Sequence, residues 1–256
     1  MLKTNVSIPP GPVAVTGASG RIGRAAVRAL NDAGIATRLI DRVPFPGRPD
    51  AFVTELAHGE TLDRAFAGAA ALVHLAATPD DADFESCLVP DNIMGLERVL
   101  SAAVRAGIRR WVLASSIQVN IRQSREGPWP VRVTDSITPL RWYAATKVLL
   151  ESAGYSHARD HGLEVVSIRL GWCPRDQVQV RQIEAEPIAQ DTYLSPGDAG
   201  RLVLASVTRP IPKGHHVVFG TSRPVREWVF DPAPARELLG WEPLDAWPVG
   251  AVAFGP

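Results

Sequence analysis

A short apolar run, Val13–Thr16, is followed at once by Gly17-Ala-Ser-Gly20-Arg-Ile-Gly23, and then by a helical apolar rhythm over Ile22–Leu30. This order of strand, glycine turn and helix limits the fold more than anything else in the chain. Glycines let the backbone turn sharply and approach an anion closely, and the helix start offers free N–H groups and a positive dipole end. In this setting the loop is a candidate cradle for a dinucleotide pyrophosphate, held by Gly17, Ser19, Gly20, Arg21, Ile22 and Gly23. Gly34 lies where a helix C-cap belongs. The next strand, Thr37–Ile40, ends at Asp41, where a carboxylate would accept hydrogen bonds from ribose hydroxyls and repel a 2′-phosphate. NAD is therefore expected over NADP. Arg42 is either a phosphate partner or a solvated loop residue, and Glu55-Leu56 either lines the adenine pocket or is a plain loop.

The alternation continues. The pattern predicts strands at Ala51–Thr54, Ala71–Ala76, Arg110–Ala114 and Val165–Leu170, with Leu62–Phe66 in a helix and long helices over Asn92–Ala106 and Trp142–Ala158. Alternating strands and helices imply an α/β fold, a doubly wound parallel sheet covered on both faces. Pro196–Val207 reads as a helix, His216–Phe219 as a strand and Ala233–Leu239 as a short helix. These are expected to form a small cap on a single Rossmann-type domain spanning 1–256, with the substrate cap contributed mainly by 172–195 and 220–256.

Formal net charge is +0, so nothing global draws the chain to nucleic acid or an anionic membrane. No apolar run approaches the ~20 residues of a membrane span, and the N-terminus has no secretory h-region. Two cysteines, Cys87 and Cys173, read as reduced thiols of a cytoplasmic protein. His157 and His161 are four apart on a helix but lack a third ligand, so no metal is expected.

Tyr143-Ala-Ala-Thr-Lys147 sits near the start of a long helix, and the i,i+4 spacing puts both side chains on one face. A free tyrosine, with a pKa of about 10, is a poor base at neutral pH; a nearby ammonium favours the phenolate. Ser115-Ser116 ends the fifth strand at the carboxyl edge of the sheet, where ligands bind. Ser116, Tyr143 and Lys147 thus form a candidate set for moving a proton from a substrate hydroxyl.

Taken in order, the Thr16–Gly23 loop, His74-Leu-Ala-Ala77, Asn92, Ser115-Ser116, Tyr143-x-x-x-Lys147 and Arg169-Leu-Gly171 resemble the extended short-chain dehydrogenase/reductase superfamily, also called the NAD-dependent epimerase/dehydratase family. Within it the chain looks most like the uronate dehydrogenases, through Phe84-Glu85, Asn92-Ile-Met-Gly95, Arg169-Leu-Gly-Trp-Cys173 and Tyr193-Leu-Ser195. The resemblance implies an NAD-dependent oxidoreductase acting on a small sugar-like or polyol substrate, and a homodimer pairing the Asn92–Ala106 and Trp142–Ala158 helices. It adds Leu75, Ala76, Ala77, Asn92, Ser115 and Cys173 to the dinucleotide contacts. On the substrate side it implies Thr78, Ser116, Ile117, Gln118 and Trp172, with Arg181, eight residues past the cysteine, as a carboxylate anchor. Ile117-Gln118 stands where the family has Asn-His, and Trp172 where it has Ser, which replaces polar contacts with bulk. Two alternatives stay open: a nucleotide-sugar epimerase or dehydratase that retains its NAD, and a non-catalytic dinucleotide sensor.

Overall fold

The computed structural model describes residues 10–56, 59–80 and 82–251. Residues 1–9, on which the expectation of no secretory signal falls, and the last five residues of the 220–256 segment lie outside them. The strands β1 (Val13–Thr16), β2 (Thr37–Asp41), β3 (Phe52–Val53), β4 (Ala71–His74), β5 (Arg110–Ser116), β6 (Glu164–Leu170) and β7 (Gly214–Gly220) form one sheet. They pair in the order β3-β2-β1-β4-β5-β6-β7, every neighbour parallel. The direction of winding reverses between β1 and β4, which opens a crevice at the carboxyl ends of those strands.

The helices are α1 (Arg21–Asp32), α2 (Gly59–Phe66), α3 (Gly95–Arg105), α4 (Ile121–Glu126), α5 (Trp142–His161), α6 (Gln177–Ala185), α7 (Pro187–Asp191), α8 (Pro196–Thr208) and α9 (Ala233–Leu239). Side chains alternate across a strand, so β1 feeds two cores. Val13 and Val15 pack with Ala26 and Leu30 of α1, Leu202 and Val203 of α8, and Leu239 of α9. Ala14 faces the other way, to a core built with Leu62 and Phe66 of α2, Leu96, Val99 and Leu100 of α3, and Leu150 of α5. Both faces of the inner strands are covered, which is why these strands read as continuous apolar runs.

The structure corrects several expectations. β3 is only two residues long, and β4 stops at His74 rather than Ala76. The helix expected over Asn92–Ala106 is two pieces. A π-helical stretch, Phe84–Met94, contains Pro90 and runs into α3 at Gly95. Proline has no N–H to give and crowds the preceding turn, which the wider π turn accommodates. The segments expected as a cap belong to the central layers instead. α8 packs on α1, β7 closes the sheet edge, and α9 and Trp241 bury into the same core.

Candidate active site

Two clefts meet along the glycine loop. The larger, about 580 Å³, runs from Gly17, Gly20 and Gly23 past Ser115, Ser116, Tyr143 and Lys147 to Trp172 and Ile188. The narrower, about 280 Å³, lies on the other side of the loop against Asp41, Arg42, Glu55 and Leu56. Gly17, Gly20, Leu75 and Ala77 line both. The loop depends on its glycines. Gly17 has φ +70°, and a Cβ there would meet the Ala76 nitrogen at 2.6 Å; one on Gly23 would meet the Gly17 oxygen at 2.1 Å. The helix start is thereby drawn tight against the strand end.

This double cleft fits a dinucleotide on chemical grounds. Asp41 is held in place, its Oδ2 accepting from the Ser19 N–H (2.8 Å) and its Oδ1 from the Val43 N–H (3.0 Å). Asp41 itself lines the narrow cleft. Ser19, Ala76, Glu55 and Leu56 line that cleft. Arg21, Ile22 and Cys173 line the larger one. Burial pushes the Cys173 thiol up to about 11, against the pull of Arg21, which favours the protonated thiol at neutral pH.

Helix α5 carries the candidate catalytic side chains Tyr143 and Lys147. Lys147 is buried, and its Nζ donates to the Ala114 carbonyl at 2.8 Å while standing 5.5 Å from the Tyr143 ring centre. Burial pulls the Lys147 ammonium down to about 8. Tyr143 moves opposite to the sequence expectation. Burial pushes its hydroxyl up to about 12 and the charge of Asp80 adds to this; the Ser116 hydrogen bond and Arg175 oppose it. In the free protein desolvation and Asp80 outweigh the Ser116 hydrogen bond and Arg175, so Tyr143 is a neutral acid there. His74, deep in the sheet, shares a 2.7 Å hydrogen bond with Thr16 Oγ1. Burial, with Lys147 nearby, lowers it to about 3 and keeps it neutral.

One turn beyond Lys147, Glu151 completes an i, i+4, i+8 row. It accepts Ser115 Oγ at 2.5 Å, and Arg169 grips it through Nε (2.9 Å) and Nη2 (2.8 Å). Arg169 Nη1 also reaches Asn120 Oδ1 at 2.8 Å. Both members of the pair are buried, so removing either leaves an unpaired charge. The pair ties the carboxyl ends of β5 and β6 to α5, which fixes Ser116 opposite Tyr143. Ser115 thus lines the cleft, but its hydroxyl is committed to this network.

Of the substrate residues implied by the sequence, Ser116, Ile117, Gln118 and Trp172 line the larger cleft. Thr78 does not: its hydroxyl bonds Asp91, and its backbone is clamped by Asn92. Asn92 lines neither cleft. It spends its amide on Thr78 O (2.9 Å) and Thr146 Oγ1 (3.2 Å), so it holds the β4 loop to α5. Arg181 is exposed and outside the lining. Val180 and Ile183 of α6 are buried, and Gln179, Gln182 and Glu186 turn to the cleft, so Arg181 falls on the outer face. Arg175, paired with Asp80 across the mouth, and Arg125 and Arg141 line the cleft instead. The cap is likewise smaller than expected: 172–192 contributes lining residues, and none comes from 220–251.

Residues 13–172 match the NAD dependent epimerase/dehydratase family. The chain belongs to that family. It is 34% identical over 215 residues to an L-arabinose 1-dehydrogenase (NAD(P)(+)) from Haloferax volcanii, covering 78% of this chain and 84% of that one. An NAD-dependent glucose-6-phosphate dehydrogenase from the same organism is 27% identical, covering 91% of this chain and 93% of the relative. Among solved structures, uronate dehydrogenase from Agrobacterium tumefaciens, a variant complexed with NAD, superposes with a TM-score of 0.75 at 27% identity, covering 92% of this chain and 85% of that one. This chain is an NAD(P)-dependent oxidoreductase of the short-chain type.

Proposed function

We propose that this chain oxidises a hydroxyl carbon of a small sugar, passing its hydride to NAD, with Tyr143 taking the hydroxyl proton. The observation that carries the reading is the convergence of Ser116, Tyr143 and Lys147 in a cleft continuous with the glycine loop. NAD would supply the hydride acceptor when bound; Gly17–Gly23, Leu75 and Ala77 would hold its pyrophosphate region and Asp41 its adenosine ribose. Ser116 orients the substrate hydroxyl beside Tyr143 Oη. Lys147 holds its ammonium under the tyrosine and, together with the positive charge of bound NAD⁺, would favour loss of the Tyr143 proton to solvent, leaving the phenolate that then accepts the substrate's hydroxyl proton. The similarity to arabinose, glucose-6-phosphate and uronate enzymes supports a sugar of one ring. Trp172, Ile117 and Ile188 give the substrate an apolar wall, and residues 172–192 act as the cap.

A panel of free aldoses, uronates and sugar phosphates, assayed with NAD for net NADH formation, tests this. An enzyme that keeps its NAD through an epimerase or dehydratase cycle would isomerise or dehydrate substrate without net NADH, and a sensor would do neither.

A homodimer through the 92–106 and 142–158 helices is part of the proposal. Met94, Trp142, Leu149 and Tyr155 expose apolar surface on these elements, which supports a second copy there. Among the described residues no helix is long and apolar enough to cross a membrane. The two free cysteines support a reducing, cytoplasmic setting.

A further inference from the structure

The narrow cleft, at the adenosine end, is lined by three carboxylates, Asp41, Glu55 and Asp91. Among its described lining residues Arg42 is the only lysine or arginine. A 2′-phosphate entering this cleft would need that guanidinium, because every other formal charge around it is negative. Arg42 is engaged elsewhere. Its Nη1 lies 3.1 Å from Asp91 Oδ2, and the same oxygen accepts the Thr78 hydroxyl. Asp91 is set on the π-helical stretch beside Asn92, whose clamp on Thr78 fixes the backbone on which that hydroxyl stands. Asp41 makes no ion pair with Arg42 among the described residues; it is occupied by the backbone N–H groups of Ser19 and Val43.

We propose that Asp91 is a dinucleotide-selecting residue: by holding Arg42 it withholds from NADP the one cation that could bind its 2′-phosphate. Asp41 disfavours the phosphate by direct repulsion. Asp91 acts a second way, by keeping a neighbouring cation from compensating. The two acids are independent, since they touch Arg42 and the ribose side of the cleft through different atoms. The Arg42 side chain is 52% exposed, so it can swing to a phosphate once its partner is gone. The inference rests on dinucleotide binding and not on the identity of the sugar.

The test is equilibrium titration of NAD and NADP, followed by protein fluorescence, on the unmodified chain, Asp91→Asn, Arg42→Ala and the double variant. Asparagine keeps the side-chain shape and can still accept the Thr78 hydroxyl. Asp91→Asn is expected to tighten NADP roughly tenfold and to leave NAD within about twofold, by freeing Arg42 and removing one like charge. Adding Arg42→Ala should remove most of that gain. In the unmodified background Arg42→Ala should change NADP affinity by less than about twofold, because the guanidinium is already spent; this arm decides the matter even if Asp91→Asn folds poorly. Three results overturn the proposal: an NADP gain that survives in the double variant, a large NADP loss from Arg42→Ala alone, or equal weakening of both nucleotides by Asp91→Asn. Failure of the unmodified chain to bind either nucleotide would bring down the cofactor assignment as well, so the two failures are distinguishable.

Discussion

Replacing Lys147 with methionine should make this protein more stable and abolish its chemistry. The ammonium sits 4% exposed, in contact with the Ala114 carbonyl, and burial lowers its pKa from the ordinary 10.5 to about 8. Keeping it charged at pH 7 in the folded state therefore costs about 3 kcal/mol. Methionine has similar length and no charge to desolvate, but gives up the hydrogen bond to Ala114, worth about 1 kcal/mol. The net expectation at pH 7 is a gain of about 2 kcal/mol.

The pH dependence separates this from a packing effect. The folded pKa lies below the unfolded one, so between about pH 8 and 10.5 the unfolded chain holds a proton the native lysine has lost. Stability of the unmodified protein should therefore climb relative to the variant through that window. The gap should close by about 2 kcal/mol between pH 7 and pH 9.5. Urea unfolding of both proteins at the two pH values measures it. A variant less stable at pH 7, or a difference that does not change with pH, would refute the reasoning.

Tyr143→Phe should cut turnover by about two orders of magnitude or more while NAD still binds by titration, since the ring packs as before and only the proton acceptor is lost. In the free protein the Tyr143 phenolate should form only near pH 12, and at lower pH once NAD is bound; difference absorbance against Tyr143→Phe reads both. Arg175→Met should raise the Michaelis constant for an acidic sugar more than for its neutral analogue, and Arg181→Met should affect neither, because Arg175 lines the cleft and Arg181 does not. Light scattering at micromolar concentration should give a dimer mass, and a monomer would remove the α5 face as an interface.

Much of the fold could be read from the chain because buried parallel strands must be apolar on both faces. Val13–Thr16, Ala71–His74 and Arg110–Ser116 declare themselves by that rule. β7 declares itself only in part: His216–Phe219 reads as a strand, but its place in the sheet does not show. It is the edge strand, half of it only partly buried, and so it tolerates His215 and His216. Without that place in the sheet, α8 has no evident sheet to cover and reads as part of a cap. The same reasoning explains β3, whose two residues at the opposite edge carry too little pattern to set a boundary.

The site divides along a similar line. Gly17–Gly23, Asp41, Ser116, Tyr143 and Lys147 were legible because each is tied to a local backbone feature: a tight turn, a strand end or a single helix face. Arg181 was not, because an offset counted from Cys173 says nothing about helix phase. Once Val180 and Ile183 are anchored in the core, the cleft falls to Gln179, Gln182 and Glu186 at i, i+3 and i+7, and Arg181 must point out. Arg175 precedes that helix, where no periodicity exists to read, and its role appears only when the β4 and β6 loops bring Asp80 to it. Glu151 could have been found. It continues the Tyr143–Lys147 row by one more turn, and a carboxylate on a face that must be buried demands a cation. Arg169, in the strand that packs against that face, is that cation. The row of tyrosine, lysine and glutamate on α5 is therefore one unit: under the proposed function its first two members would do the chemistry, and the third, through Arg169 and Ser115, holds the end of β5 on which Ser116 stands.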